Sequence, residues 1–328
     1  MNDNINLVVL PRHVMTWEAF VASAPKCSIA LDGIVTGGPN WNERTLHVNF
    51  DHHDSCIREA TMSTAKQVMF AIKGGLMERF DGNATIYVND PDQDTSFAVW
   101  LISRWKSFTG VQSHPIINRF LELSDRLDIT GGAYPMSLDE RVLQQHTWVF
   151  SPYSDLRKSG ALAAANESVI RNCIQSVMNN LTQAFMGSAG LRNLDTRHHV
   201  LYESPRFKVI EETGGNDARF ALFAEGKLDG YVSLVARRPD GRNVYTIGRR
   251  SRYVDFPVQD LYGALSAEDD APWGGSDIIG GSNRERGSSL SPKEVAEVIN
   301  ERLDNPIDLS FITPAMAKAL CSSEENHD

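Results

Sequence analysis

The chain has 328 residues, 41% of them hydrophobic, with 42 acids against 32 bases for a formal charge of −10. That is enough apolar material for one large or two ordinary domains, and two are expected. The acidity disfavours a nonspecific grip on long duplex DNA, which depends on many Lys and Arg contacts to phosphate, but it leaves room for a small anionic ligand recruited by local cations. Cys27, Cys56, Cys173 and Cys321 lack CxxC spacing. This argues against a zinc ribbon or a disulfide framework and fits a reducing compartment, so a cytoplasmic location is expected. No run approaches about 18 consecutive apolar residues and MNDNINLVVLPRH lacks a basic region followed by a long apolar one, so neither a membrane span nor a signal peptide is expected.

Over residues 1–150 short apolar runs alternate with helical patterns, the signature of a parallel sheet covered on both faces. CSIALD ends at Asp32, TLHVNFDHH carries Asp51, His52 and His53, and ATIYVNDPDQD ends in Asp90, Asp92 and Asp94. Pro91 marks the passage from strand to loop, because it cannot donate a ladder hydrogen bond. Open parallel sheets bind ligands beyond the carboxyl ends of their strands, so three acid-ending strands predict one convergent acidic site. In extended backbone the two-residue spacing of Asp90, Asp92 and Asp94 would point their side chains the same way. Crowded carboxylates repel one another unless cations offset them, which predicts a metal site. A carboxylate-rich set with one or two imidazoles suits Mn²⁺ first and Mg²⁺ second. As sequence neighbours, His52 and His53 face opposite ways in extended backbone; one is expected to ligate and the other to meet the substrate.

Residues 151–195 read as a helical connector, with VIRNCIQSVMNNLTQAFM apolar at helical spacing and its methionines assigned to packing. The pair His198 and His199 has no acid-ending strand around it and is read as structural. Further on, Gly274, Gly275, Gly280, Gly281 and Gly287 allow close backbone approach, and nearby arginines suit phosphate, so an anion loop is expected there. SPKEVAEVINERL predicts a helix with Ser291 as N-cap, Pro292 first and Glu294 closing a capping box. The acidic tail SSEENHD is expected to be disordered.

The triplet Asp51-His52-His53, with Asp32 19 residues ahead of it and Asp90-Pro91-Asp92-Gln93-Asp94 forming a DxDxD motif, resembles the DHH phosphoesterase superfamily, closest to its RecJ-like branch. Val88 stands where the pyrophosphatase-like branch has a metal-binding histidine. The motif order differs, because DxDxD comes first in the family and last here; this looks like a circular permutation of the catalytic domain. Residues 196–320 resemble the C-terminal domain that accompanies DHH domains, with TIGRRSRYVDFPVQDLYGAL leading to WGGSDIIGGSNRERGSSLSP, although the family's loop histidine is replaced by the region of Asn283, Arg284 and Arg286.

The resemblance implies an α/β protein: a parallel-sheet DHH-like catalytic domain over 1–150, a connector over 151–195 and a smaller α+β substrate-binding domain over 196–320. It implies two Mn²⁺ or Mg²⁺ ions held by Asp32 as the bridge, Asp90 and Asp92 on one ion, and Asp94, His52 and Asp125 on the other, with Asp128 the alternative to Asp125. Asp51 would orient the histidines, and His53 would contact the scissile phosphate or protonate the leaving oxygen. Arg250, Gly280, Gly281, Asn283, Arg284 and Arg286 would hold the substrate. The expected activity is that of a Mn-dependent phosphodiesterase or exonuclease-like hydrolase acting on small nucleotides or short single-stranded oligonucleotides. A homo-oligomer is compatible with the sequence. Two other classes stay open: a nucleotide sensor that binds without turnover, which the missing loop histidine favours, and an assembly protein that keeps only the fold.

Overall fold

The computed structural model describes residues 4–305; the tail SSEENHD and Cys321 lie outside them. The strands are β1 (Ile5–Val9), β2 (Ser28–Leu31), β3 (Asn40–Asn42), β4 (His47–Phe50), β5 (Ala84–Val88), β6 (His198–Glu203), β7 (Phe207–Glu212), β8 (Gly230–Arg237), β9 (Asn243–Arg249), β10 (Trp273–Gly275) and β11 (Ile279–Ser282). They form two sheets, ordered β1-β5-β2-β4-β3 and β10-β11-β9-β8-β7-β6. In the first sheet β1, β5, β2 and β4 are parallel, and β3 turns back antiparallel onto β4. The second is antiparallel except for the parallel β7–β8 pair. The chain is therefore α/β with two mixed sheets, and the expectation of a purely parallel first sheet is corrected by β3.

The strand leading to Asp90 lies inside the first sheet, between β1 and β2. Its register with β2 (Ile29 opposite Ile86) and that of β2 with β4 (Leu31 opposite Phe50) bring the strand ends level, and the Asp32 amide carries the ladder one step further to the Phe50 carbonyl at 2.9 Å. Parallel strands in register end at one edge, so Asp32, Asp51 and Asp90 all leave the sheet there.

One face of this sheet is covered by the adjacent helices Thr64–Lys73 and Gln93–Ser103, with Glu167–Phe185 packed over the second. Gln93–Ser103 is apolar almost all round and is buried from Asp94 to Ile102, as a helix between a sheet and another helix must be. Ile170, Ile174, Val177 and Leu181 of Glu167–Phe185 enter the same core with Met178, so this part of the 151–195 segment belongs to the first core. The opposite face has slighter cover: the short helix Trp17–Ser23 places the fully buried Phe20 against Ala30, Ile34 and Val35, with its ring centroid 5.4 Å from that of Tyr87. Truncating Phe20 to alanine would cost about 3–5 kcal/mol, the usual range for emptying a buried phenylalanine site.

In the second half, helices Val258–Glu268 and Pro292–Asp304 cover one face of the sheet and the short helix Asp217–Phe223 lies against Ile210 and Tyr231. The capping box of Ser291 and Glu294 is formed, with reciprocal bonds of 3.3 and 2.7 Å. His198 starts β6 and donates to the Thr196 carbonyl at 2.8 Å, a structural use. The two halves meet through the Arg252 amide, which donates to Glu59 at 2.8 Å, and through the turn that ends helix Pro115–Ile129. There Gly131 has φ +59°, a backbone conformation that favours glycine, and a Cβ on it would lie 2.6 Å from the end of the Ile279 side chain in the second sheet, so the two halves touch at this turn. Among the described residues no helix is long and apolar enough to cross a membrane.

Candidate metal centre and cleft

Two helices begin at the acidic edge of the first sheet. Helix Thr64–Lys73 has all its first-turn amides engaged: Asp94 accepts from Thr64 and from Ala65 (2.9 Å), Ser63 Oγ caps Lys66 at 3.4 Å, and Asp125 takes the Ser63 amide at 2.7 Å. Helix Gln93–Ser103 is capped by Asp92, which accepts from Thr95 at 2.8 Å. Helix N-termini carry unsatisfied N–H groups and partial positive charge, so gathering aspartates there satisfies donors and eases crowding at once. It also corrects the extended-backbone argument for DPDQD: the chain turns into a helix at Asp92, and the acids converge because of that cap and not because of two-residue spacing.

Asp32 lies at the centre in the left-handed region, φ 58°, and is buried. Thr64 Oγ1 donates to its Oδ1 at 3.0 Å and Thr95 Oγ1 to its Oδ2 at 3.2 Å, one hydroxyl from each helix start. His52 Nε2 points into the same space, 3.5 Å from Asp32, 3.8 Å from Asp94 and 3.0 Å from Asp128. His53 Nδ1 is 3.4 Å from Asp32 and 2.8 Å from Asp51 Oδ1. Asp51 Oδ1 also accepts the amides of His52 (2.7 Å) and His53 (3.0 Å), so this carboxylate shapes the loop that presents both rings.

Two groups of side chains have ligand atoms within 4.8 Å of one another, Asp32 with His52 and His53, and His52 with Asp94 and Asp128. These buried acidic and histidine groups could hold a metal ion. A sharper test of fit comes from polar atoms left unpaired. Among the described residues, Asp51 Oδ2 and Asp90 Oδ1 are buried and have no hydrogen-bond partner, and His52 Nε2 and Asp128 Oδ2, also buried, face each other at 3.0 Å as an ion pair without hydrogen-bond geometry. Buried unpaired polar atoms are rare and costly. Carboxylate and imidazole groups gathered within 4.8 Å of one another are what a hard or borderline divalent ion requires.

The electrostatics agree. Burial disfavours charge on Asp32, yet His53 and His52 hold its carboxyl far below the ordinary range. Burial also opposes ionisation of Asp128, but His52 and then Arg58 hold it low. His52 is itself disfavoured as a cation by burial, and Asp128 together with Asp32 more than offsets this, lifting it to about 10. The remaining acids have no such partner: burial and the charge of Asp32 push Asp90 up to about 6, and burial with neighbouring carboxylates pushes Asp92 and Asp94 well above the usual range. One imidazolium and the helix ends do not neutralise this edge.

Asp125 is not part of it. Its carboxylate is taken up by the Ser63 amide and by Lys66 Nζ at 2.8 Å, and Asp128, three residues on, reaches His52 instead. Asp90 and Asp92 line the opening of the site, with Asp92 close enough to Asp32 for their carboxyls to interact.

The opening leads into a cleft of about 870 Å³ between the two halves. His53, Asp90, Asp92 and Asp128 face it from one half, and Gly280, Gly281, Asn283 and Arg284 from the other. Two expected contacts are turned away. Arg250 is tied to the Gly226 carbonyl and to Asp229 (3.3 Å), and Arg286 is an exposed residue outside the cleft lining. Asn283 spends its Oδ1 on the amides of Glu285 (3.0 Å) and Arg286 (2.9 Å), building the turn from within. Sequence reasoning missed Arg58, whose guanidinium donates to the Asp128 carbonyl at 3.1 Å, and the cleft residues Tyr153, Arg157 and Arg219. Thr64 and Thr95 had a local signal, hydroxyls in the first turn of helices that follow acid-ending strands; the arginines had none.

No protein-family model, curated protein or solved structure matches this chain, so the functional reading rests on the site itself.

Proposed function

We propose that this chain is a divalent-metal-dependent phosphodiesterase of the DHH type with a permuted catalytic domain, acting on small nucleotides or short oligonucleotides. The observation that carries the reading is the meeting of Asp32, His52, Asp94 and Asp128, with His52 Nε2 and Asp128 Oδ2 left without hydrogen-bond partners, at a cleft whose far wall is glycine-rich strand and arginine. Position of β5 beside β2 supports the permutation, because the DxDxD acids reach the site despite following DHH in the chain.

Asp32, His52, Asp94 and Asp128 would hold the metal, with Asp90 and Asp92 at the opening and Mn²⁺ the favoured ion for this oxygen-rich set. When bound, divalent ions supply charge neutralisation at phosphoryl oxygens and activation of water. His53 is fixed by its Nδ1 on Asp51, which leaves Nε2 to hold a proton for the leaving oxygen. Arg284 and the backbone at Gly280 and Gly281 would bind the phosphate-bearing ligand. The loop without a histidine, where Asn283 only builds a turn, favours a second reading as a nucleotide sensor without turnover.

The experiment is metal analysis of the purified protein, then Mn²⁺-supplemented hydrolysis of bis(p-nitrophenyl) phosphate and of di- to pentanucleotides by wild type and Asp92→Asn. Metal-dependent cleavage lost in Asp92→Asn supports the enzyme. Nucleotide binding without cleavage supports the sensor, and the absence of metal binding sinks both.

A further inference from the structure

The cleft holds a group of cations that the metal centre does not use. Arg219 is 3% exposed and is locked from behind: its Nε donates to Glu212 at 3.1 Å, and its guanidinium lies over the Tyr231 ring, 5.4 Å from the centroid. It nonetheless lines the cleft, and its Nη2 is buried with no partner. Arg157 donates to Asn216 Oδ1, at the start of the helix that carries Arg219, and both arginines line the same cleft. Arg157 helps to hold Glu212 low, so it stands within electrostatic reach of the Arg219–Glu212 pair.

A guanidinium is a planar fork with five donors. In Arg219 Nε is spent on Glu212, the face lies on an aromatic ring, and Nη2 stays unpaired. Such a group is already ordered, so a ligand meets no cost of freezing the side chain. A structural ion pair alone would be complete with Glu212; it does not require a spare buried donor beside a second arginine. Glu212 offsets one of the two arginines, which leaves net positive charge for an anion with several oxygens, and the oxygens of a phosphoryl group match adjacent guanidinium forks.

We propose that Arg157 and Arg219 form an anion subsite that takes a second phosphoryl group of the ligand, a terminal phosphate carried beside the phosphodiester presented to the metal centre. The ligand class is then a short nucleotide with a terminal phosphomonoester. This rests on the phosphodiesterase reading for the other end of the ligand, but the subsite can be measured without turnover.

The test is calorimetric titration, in Mn²⁺, of a phosphonate-linked dinucleotide that cannot be hydrolysed, prepared with and without a terminal phosphate. Wild type should bind the phosphorylated form about tenfold tighter or better, the size of one good charge-assisted contact. Arg157→Ala, a part-exposed position, should bring the two affinities together, and because the readout is a ratio, any weakening of the nearby metal centre cancels. Arg219→Gln should do the same, with its thermal melt recorded because Glu212 would lose its partner. If that variant does not fold, Arg157→Ala decides alone. Equal affinity of wild type for the two ligands, no binding of either, or a preference that survives Arg157→Ala overturns the proposal. Should the preference behave as expected while Mn²⁺-dependent hydrolysis is absent, the subsite stands and the enzyme reading falls.

Discussion

Asp125 and Asp128 sit three residues apart on one helix, and the structure gives them opposite work, which a pair of alanine substitutions separates. Asp125 accepts charge-assisted bonds from Ser63 and Lys66, at 2.7 and 2.8 Å. Lys66 is partly exposed and keeps Glu122 at 2.9 Å, so Asp125→Ala should cost about 1–3 kcal/mol after solvent screening. At roughly 2–4 °C per kcal/mol for a chain of this size class, the melting point falls by several degrees. Metal affinity should be unchanged. Asp128→Ala removes an acid that repels Asp92 and Asp94 but also the partner of His52 and Arg58, so its metal-free stability reflects two terms of opposite sign. Its effect shows with metal. Free Mn²⁺ at 100 times Kd stabilises the folded state by about 2.7 kcal/mol, and losing a direct ligand should weaken affinity by about 100-fold or more, removing nearly all of that shift. Differential scanning fluorimetry with and without Mn²⁺, with calorimetry for Kd, reads both quantities. A full metal-induced shift in Asp128→Ala, or its loss in Asp125→Ala, would refute the assignment.

Asp92→Asn should abolish Mn²⁺-dependent hydrolysis at unchanged melting temperature, whereas Asp92→Ala should also lose about 1 kcal/mol, because Asp92 caps helix Gln93–Ser103 and asparagine can replace it there; equal stability of the two variants would contradict the cap. Arg284→Ala should raise KM with kcat little changed, and Arg250→Ala should leave KM alone because that guanidinium is bound to Gly226 and Asp229; steady-state kinetics on a dinucleotide decides. In EDTA, stability should fall as pH rises from about 4 to about 6. Asp90 is lifted from the ordinary 3.8 to about 6, so across that window the unfolded chain has released a proton that the folded chain keeps. The gain in melting temperature on adding Mn²⁺ should accordingly grow from pH 5 to pH 7, and a pH-independent gain would count against carboxylate ligation.

The legible part of the site was the part encoded locally. An apolar run that stops at an acid is visible within six or eight residues, and parallel pairing then carries Asp32, Asp51 and Asp90 to one edge with no further information. DPDQD was legible as a cluster and misread as a geometry. Asp92 just ahead of an apolar run is an N-cap pattern, so the helix start was available from the same letters. The choice between Asp125 and Asp128 was not available. Both lie on the inner side of helix Pro115–Ile129, and what separates them is that Lys66 and the Ser63 amide meet one while His52 meets the other. Arg157 and Arg219 are further still from any local pattern, because the cleft that makes them neighbours of the acids exists only once the second sheet docks on the Gly131 turn.

Docking bears on electrostatics as well as on shape. The first half concentrates carboxylates at one sheet edge and meets their repulsion with two helix starts, two hydroxyls on Asp32 and an imidazolium at His52. Asp92 and Asp94 stay well above the ordinary carboxylate range even so, which means the edge alone is under-compensated. Cations brought by other segments act on it from the cleft: Arg284 and Arg157 each counter part of the upward push on Asp90, one from the second half and one from helix Ser151–Lys158. They stop short of pairing with it, since Asp90 Oδ1 remains without a partner. An arginine that closed directly on Asp90 would neutralise the acid and fill the opening together. Held at a distance, the same charges leave the acidic lone pairs free for a cation and their own donors free for an anion, so the cleft keeps both signs of charge unspent along one channel in a protein whose net charge is −10.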